Sequence, residues 1–273
     1  YKKVQKVFSD FKIDAVMHFA GLKSVSESIT EPAEYYSNNL NSTFSLCKAM
    51  SEYHVKRMVF SSSSTVYGIP SVLPVTEGAI LQPYNPYGQT KHMIEQFLRD
   101  VTTANKDWAI IMLRYFNPIG AHKSGLIGEN PKNIPENIMP YLTQTVNGER
   151  EVLTVFGDDY PTNDGSCIRD YIHIMDLSNA HIKAIEHLVN IKSKKFLEAI
   201  NVGTGNGVSV FELISSFEKT TGQKVPFKIG KRRPGDVLIS YADTKKALKL
   251  LKWKSKYSLS DALSSAWNWE QNK

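Results

Sequence analysis

The stretch "RMVFSSSSTVYG", residues 57 to 68, decides the fold of this chain. It begins as a continuous apolar run and ends in small polar residues, a form typical of a parallel strand covered on both faces. The runs "DAVMHFAG" (14 to 21) and "AIIMLRYF" (109 to 116) have the same form. Helical patterns around 32 to 53 and 88 to 105 lie between these runs. This alternation predicts an α/β fold with a parallel sheet and crossover helices.

The ends of the three predicted strands locate a candidate site. In an open α/β sheet the ligand crevice lies outside the carboxyl ends of the strands. Those ends read "FAGLK", "FSSSSTVYG" and "RYFNPIG". After residue 118 the pattern gives way to loops and to helices near 134 to 147, 176 to 190 and 209 to 220. Ser209 and Glu212 form a capping box for the last helix. We therefore predict a smaller, loop-rich second lobe.

The composition of the chain limits the kinds of molecule that we expect it to bind. The chain has 273 residues, 33 Lys and Arg against 27 Asp and Glu, and a net charge of +6. This charge favours anionic small molecules, although a solvated helix face explains the basic run at 243 to 256 equally well. No apolar run spans a bilayer and no basic patch is interleaved with aromatics, so we expect neither a membrane nor a nucleic-acid partner.

Cysteine and histidine usage points to a reduced protein without a metal. The chain's two cysteines, Cys47 and Cys167, lie far apart in sequence and form no disulfide framework or CxxC pattern. The histidines show no metal-ligand spacing. We expect a cytosolic protein with no metal site.

The stretch "NPYGQTKHMIEQFL", residues 85 to 98, carries the first chemical signal. Tyr87 and Lys91 are four residues apart on one face of a predicted amphipathic helix, with Met93, Ile94, Phe97 and Leu98 as its apolar stripe. A neighbouring ammonium favours the phenolate and so lowers the pKa of a tyrosine toward the range useful for a base. Taken alone, a surface tyrosine and a solvated lysine explain this pair better.

The serine-rich end of the second strand carries the other signal. Strand alternation predicts Ser61, Ser63 and Thr65 on one side and Ser62 and Ser64 on the other. A hydroxyl on the first side can bond the substrate oxygen that Tyr87 would deprotonate. Taken alone, this too can be an ordinary polar strand end.

The ordered series of motifs is more specific than either signal. It comprises "FAGLK", "FSSSSTVYG", "NPYGQTK", "RYFNPIGAH", "YPTNDG", "CIRDYIHIMDL", "NVGTG", "RRPGD" and "WNWEQ". Together these motifs resemble the extended short-chain dehydrogenase/reductase family, and within it the members that invert C4 of a UDP-hexose. The resemblance covers practically the whole chain. It implies a Rossmann-type doubly wound parallel sheet with a smaller, mixed α/β substrate-binding lobe.

The resemblance also implies a division of the chain and of its site. An NAD-binding domain would cover 1–118 and a UDP-sugar-binding domain 119–273, with part of 170–192 returning to the first. Tyr87 would be the catalytic base, Lys91 would lower its pKa and hold the nicotinamide ribose, and Ser63 would bond the sugar 4-OH. The other residues implied at the NAD site are Phe19, Ala20, Gly21, Leu22, Lys23, Asn38 and Phe116. Those implied at the UDP-sugar site, besides Ser63, are Asn117, Asn137, Phe156, Arg169, Arg233, Asp236 and Ser240.

Several of these residues have simpler interpretations. Phe19 and Ala20 can be strand core as well, an exposed Lys23 is ordinary, and Phe156 can be a core aromatic. The run "KRRPGD" can be a charged turn. Two arginines nevertheless suit a diphosphate, because the guanidinium fork bonds phosphate oxygens in pairs.

The implied reaction interconverts UDP-galactose and UDP-glucose. Tyr87 takes the 4-OH proton while bound NAD takes the C4 hydride, and the resulting 4-keto sugar turns over before the hydride returns. Arg169 and Arg233 would anchor the nucleotide throughout. The small Ser240 predicts room for an N-acetyl group, and hence acceptance of UDP-N-acetylhexosamines. The family also implies a homodimer through packing of the helix at 32 to 53 and the Tyr87 helix.

Two alternatives remain at this point. Related 4,6-dehydratases carry a carboxylate after the strand-end hydroxyl, where this chain has Ser64 and Thr65, so epimerisation is preferred. The family's glycine-rich turn, which approaches the NAD pyrophosphate, precedes the first strand visible here. We therefore expect a fragment that binds NAD poorly, and a catalytically impaired nucleotide-sugar-binding module is the alternative function.

Overall fold

A computed structural model describes residues 1–132, 134–233 and 236–273. Its strands are β1 (Val16–His18), β2 (Arg57–Ser61), β3 (Ala109–Tyr115), β4 (Asn117–Ile119), β5 (Leu153–Phe156), β6 (Ile168–Arg169), β7 (Tyr171–His173), β8 (Phe196–Val202), β9 (Val208–Ser209), β10 (Phe227–Gly230) and β11 (Ile239–Ser240). Its α-helices are α1 (Lys2–Asp10), α2 (Val25–Thr30), α3 (Pro32–Glu52), α4 (Pro86–Ala104), α5 (Ile138–Val146), α6 (Ile174–Asn190), α7 (Val210–Thr221), α8 (Lys245–Leu251) and α9 (Leu259–Asn272).

The main sheet is parallel and has the order β1-β2-β3-β8. Period-2 alternation along its strands sends successive side chains to opposite faces. Met58 and Phe60 of β2 pack with α1, α3 and α4, whereas Val59 between them packs with α6 and α8. Both faces are therefore covered, and the predicted doubly wound α/β fold is confirmed.

A second, smaller lobe has its own core. The helices α5, α7 and α9 pack around β4, β5 and β7, with Phe217 fully buried among them. Ser209 caps α7 with the reciprocal bonds of a capping box, as predicted. No helix in the described ranges combines the length and apolar character needed to cross a bilayer.

The division between the lobes is more interleaved than the sequence suggested. The helices α6 and α8 pack on the main sheet, and β8 is its fourth strand. Both β8 and α8 lie beyond the 170–192 segment. The first lobe thus receives chain from two places in the second half. The domain boundaries themselves stay a prediction.

Two local predictions are wrong. The strand β2 ends at Ser61, and Ser64–Tyr67 form a 3-10 helix, so Thr65 does not continue the strand alternation. Ser63 caps this turn through its side chain, and a hydroxyl that bonds the backbone two residues on favours a turn over a strand. In the α4 stripe Ile94 and Leu98 are buried, but Met93 is 42% exposed.

Candidate active site

A cavity of 880 Å³ lies at the carboxyl edge of the main sheet, between the two lobes. The turn after β1 lines one wall, the 3-10 helix lines another, and residues of the second lobe line the third. A 390 Å³ cavity adjoins it. Both cavities are lined by Asn117, Asn137, Arg169, Arg233 and Asp236.

The start of α4 places Tyr87 beside the end of β2. Asn85 caps the helix, its Oδ1 accepting from the Gly88 amide at 2.8 Å, and Pro86 occupies the first turn. A Cβ at position 88 would lie 2.9 Å from the Thr65 carbonyl oxygen. Because Gly88 has no side chain, the 3-10 helix can pack directly on the first turn of α4. Ser63 therefore lies near enough to the Tyr87 hydroxyl to influence its pKa.

Ser63 is held in place by its own turn. Its Oγ accepts from the Thr65 amide at 3.2 Å and from the Thr65 hydroxyl at 2.9 Å. Ser63, Tyr87 and Lys91 are all buried. The structure thus brings together the three residues implied as catalytic.

The direction of the Tyr87 pKa shift differs from the one that the sequence leads us to expect. Burial raises the pKa of Tyr87, nearby Tyr115 adds to the effect, and the hydrogen bond with Ser63 opposes it. Burial lowers the pKa of Lys91 to about 8, with Glu95 opposing. The Lys91 ammonium donates to the Ser61 carbonyl at 2.8 Å and lies 5.9 Å from the Tyr87 ring centroid.

In the protein without ligand, burial raises the pKa of Tyr87 although Lys91 is near, and the catalytic role of Lys91 stays a prediction. Desolvation disfavours the charged form of both groups, and it outweighs their mutual attraction.

The turn after β1 fits a nicotinamide cofactor. Phe19 is 57% exposed and Lys23 is also exposed, so neither is buried core. A Cβ at Gly21 would lie 3.1 Å from the Asn39 Oδ1 and 3.8 Å from the Lys91 Nζ. A side chain there would fill the space beside Lys91, and glycine leaves that space open to a ligand.

Asn39, which sequence reasoning missed, holds this turn. Its buried amide accepts from the Leu22 N–H at 2.7 Å and donates to the Leu22 carbonyl at 3.1 Å. Its neighbour Asn38 is exposed and donates to it at 3.1 Å. Phe116 lies away from the cavity walls, in a cluster with Val66 and others. Ala20 is exposed.

A carboxylate organises the implied diphosphate anchors. Arg233 donates to Asp236 at 2.9 and 3.3 Å, and Arg169 lies 3.8 Å from the same carboxylate. The Arg233 guanidinium is 5.3 Å from the ring centroid of Phe156, which is partly exposed. Asp236 therefore aligns both arginines at the cavity wall. Ser240 lines the larger cavity and pairs in register with Arg169.

Glu129 is a second residue that sequence reasoning missed. Its Oε1 accepts from Lys23 at 2.9 Å and from Asn137 at 2.8 Å. Lys23 belongs to the first lobe and Asn137 to the second, so Glu129 joins them at the cavity mouth. Ser24 and Glu136 form a parallel hydrogen bond. The spacing of these residues along the chain gives no signal for this contact.

Within the described residues, no group of His, Cys, Asp and Glu side chains could hold a metal ion.

Comparison with known proteins gives a consistent result. The sequence model of the GDP-mannose 4,6 dehydratase family matches residues 1–266. The chain is 51% identical over 269 residues to a UDP-glucose 4-epimerase of Bacillus subtilis, covering 98% of this chain and 78% of that protein.

Solved structures agree with this. An epimerase of that name from Stenotrophomonas maltophila, with bound NAD and formylated UDP-arabinopyranose, superposes with a TM-score of 0.95 at 45% identity, covering 99% of this chain and 80% of that one. One from Bifidobacterium longum, in complex with NAD+ and UDP, gives 0.94 at 48% identity, with coverages of 98% and 79%.

Proposed function

This chain belongs to the UDP-glucose 4-epimerase family of extended short-chain dehydrogenase/reductases, and from that membership we propose that it interconverts UDP-galactose and UDP-glucose. The observation that carries the proposal is the burial of Tyr87, Lys91 and Ser63 side by side, with the Lys91 ammonium 5.9 Å from the Tyr87 ring centroid. The two solved structures named above contain NAD, and the turn after β1 fits its nicotinamide end.

The base in this proposal is Tyr87. NAD, when bound, would supply the hydride acceptor. Within the chain, the Lys91 ammonium and the nearby Ser63 hydroxyl are the groups that favour the phenolate over the buried phenol. Tyr87 then accepts the proton of the sugar 4-OH, and Ser63 holds the same oxygen.

Lys91 has two tasks. With a pKa of about 8 it is mainly protonated at neutral pH, so it keeps its charge near the phenol. Its hydrogen bond to the Ser61 carbonyl fixes the ammonium at the carboxyl end of β2. Lys91 is the residue that would hold a nicotinamide ribose hydroxyl when NAD is bound.

Inversion requires a firmly held nucleotide and a loosely held sugar. The paired guanidinium groups of Arg169 and Arg233, aligned by Asp236, suit the diphosphate. The 880 Å³ cavity leaves room for the 4-keto sugar to turn about its link to the diphosphate. Asn117, Asn137 and Phe156 complete the proposed nucleotide-sugar site.

Epimerisation is preferred to 4,6-dehydration at this site. Dehydration needs a carboxylic acid beside the strand-end hydroxyl to drive the loss of water. The positions after Ser63 are Ser64 and Thr65, and both line the cavity. Neither can act as that acid, so the keto sugar is expected to be reduced again rather than dehydrated.

The deciding experiment supplies NAD to the purified protein and measures conversion of UDP-galactose to UDP-glucose. We expect conversion by the native sequence and a loss of at least about a hundredfold with Tyr87→Phe, which keeps the ring but removes the base. Binding of UDP without turnover in the native protein would instead favour a nucleotide-sugar-binding module.

Ser240 supports a wider substrate range. It is small, and it lines the cavity beside Arg169. The proposal is that UDP-N-acetylglucosamine is also accepted. Ser240→Tyr is expected to lower kcat/KM for the N-acetylated sugar much more than for UDP-galactose. Equal losses on both substrates would contradict this.

A homodimer through α3 and α4 is part of the same proposal. These helices present Phe44, 40% exposed, and Met93, 42% exposed, and the rings of Phe44 and Phe97 meet at 4.6 Å. Sedimentation analysis of the native protein and of Phe44→Glu tests it, since the charge is expected to produce monomers.

Two buried free cysteines, Cys47 and Cys167, support a reducing compartment such as the cytosol.

A further inference from the structure

A buried ion pair lies beneath the candidate active site. Glu95 of α4 is 0% exposed and Arg114 of β3 is 1% exposed. The Arg114 Nε donates to one carboxylate oxygen at 2.8 Å, and its Nη2 donates to the other. Burial alone would lower the pKa of Arg114, but the hydrogen bonds and charge of Glu95 raise it by more than burial lowers it. The pKa is therefore above its ordinary value, and this arginine stays charged.

The carboxylate of this pair links the two elements that carry the reaction. Glu95 accepts from the Ser62 hydroxyl at 2.7 Å, and Ser62 is also fully buried. Ser62 directly precedes Ser63, and Glu95 lies one helical turn after Lys91. The end of β2 is thereby tied to α4 through a single side chain.

The guanidinium of the pair holds the other end of the same segment. The Arg114 Nη1 donates to the Tyr67 hydroxyl at 3.1 Å and to the Glu77 carbonyl at 3.3 Å. Tyr67 is the last residue of the 3-10 helix, and it donates to Asn201 of β8 at 2.6 Å. Ser62 and Tyr67 therefore fix the two sides of the turn that presents Ser63.

A buried ion pair is a weak source of stability, because desolvation of two charges offsets much of their attraction. A supporting shell of buried hydrogen bonds is, by contrast, what keeps reacting groups at a fixed separation. We infer that Glu95 and Arg114, acting through Ser62 and Tyr67, are positioning residues that set the separation of the Ser63 and Tyr87 hydroxyls. This inference rests on the proposed epimerase function.

The test is Ser62→Ala, which removes one hydrogen bond and leaves the ion pair intact. The matched control is Thr102→Val, because Thr102 lies on the same helix, is equally buried and bonds only the Leu98 carbonyl, at 2.8 Å. With NAD supplied, Ser62→Ala is expected to lower kcat for UDP-galactose about tenfold while KM changes by less than about twofold. Thr102→Val is expected to keep the native kcat.

A second variant guards against a folding defect. Tyr67→Phe removes the hydroxyl on the guanidinium side and keeps the ring, and a fall in kcat with unchanged KM is expected again. Native kcat in both variants overturns the inference, as does a rise in KM alone or an equal loss in Thr102→Val. If the native protein itself fails to convert UDP-galactose, the proposed function fails. If the native protein converts UDP-galactose and both variants keep its kcat, only the positioning role fails.

Discussion

Removing one member of the buried ion pair is expected to be costly to stability. In Arg114→Met the carboxylate of Glu95 loses two hydrogen bonds from a charged donor, each worth about 1.5–3 kcal/mol. Because the Glu95 carboxylate then stays buried with only the exposed Arg99, at 3.7 Å, as a charged partner, we expect a loss of about 3–5 kcal/mol in the free energy of unfolding. With a urea m-value of about 3 kcal/mol/M, the unfolding midpoint should fall by about 1–1.7 M.

The assay is urea unfolding followed by circular dichroism, with two comparisons. In the double variant Glu95→Leu with Arg114→Met no buried charge is left unpaired, since Arg99 is 40% exposed, so at least half of the loss should be recovered. Lys183→Met breaks an exposed ion pair with Glu186 and should cost less than about 1 kcal/mol. A loss below about 1 kcal/mol in Arg114→Met, or a double variant no better than the single, would refute the reasoning.

Three further predictions concern the same region. Gly88→Ala places a Cβ 2.9 Å from the Thr65 carbonyl oxygen, so epimerase kcat should fall at least about tenfold with the circular dichroism spectrum retained. Lys91→Met removes a buried ammonium whose pKa is lowered by burial, so activity should be lost while the thermal midpoint stays the same or rises. Burial and the charge of Lys91 lower the pKa of His18 from 6.5 to about 4. The unfolded chain therefore binds more protons below pH 6.5, and stability should fall as pH drops from 6.5 toward 4, by up to about 1.4 kcal/mol per pH unit. Calorimetry of His18→Gln, which keeps a polar group near Thr43, should show a flatter pH dependence.

Patterns within one element predicted most of the fold. Apolar runs and helical periodicity located β2, β3, α3, α4, α6 and α7 to within a few residues. The start of the 3-10 helix was missed because it depends on the Ser63 side chain and not on an apolar pattern. The return of β8 to the main sheet was missed because the sequence pattern gives no strand order.

The candidate site was predictable where its residues share an element or a motif. Tyr87 and Lys91 are four residues apart on α4, so their shared face followed from helix geometry. The place of Ser63 beside them was implied by the resemblance to the family, since Ser63 lies beyond the end of β2. The direction of the Tyr87 pKa did not follow, because burial is a property of the packed protein. Glu95 and Arg114 were missed for a related reason. They are nineteen residues apart on different elements, and charged residues are usually exposed.

The Glu129 contact has a consequence for how ligands reach the cleft. Its hydrogen bonds to Lys23 and Asn137 connect the two lobes, but the lysine side chain is 70% exposed, so the pair contributes little free energy. Dissolved salt weakens such a pair further. We therefore expect an arriving nucleotide to displace this weak contact between the lobes. We expect the contact to be broken more often as ionic strength rises.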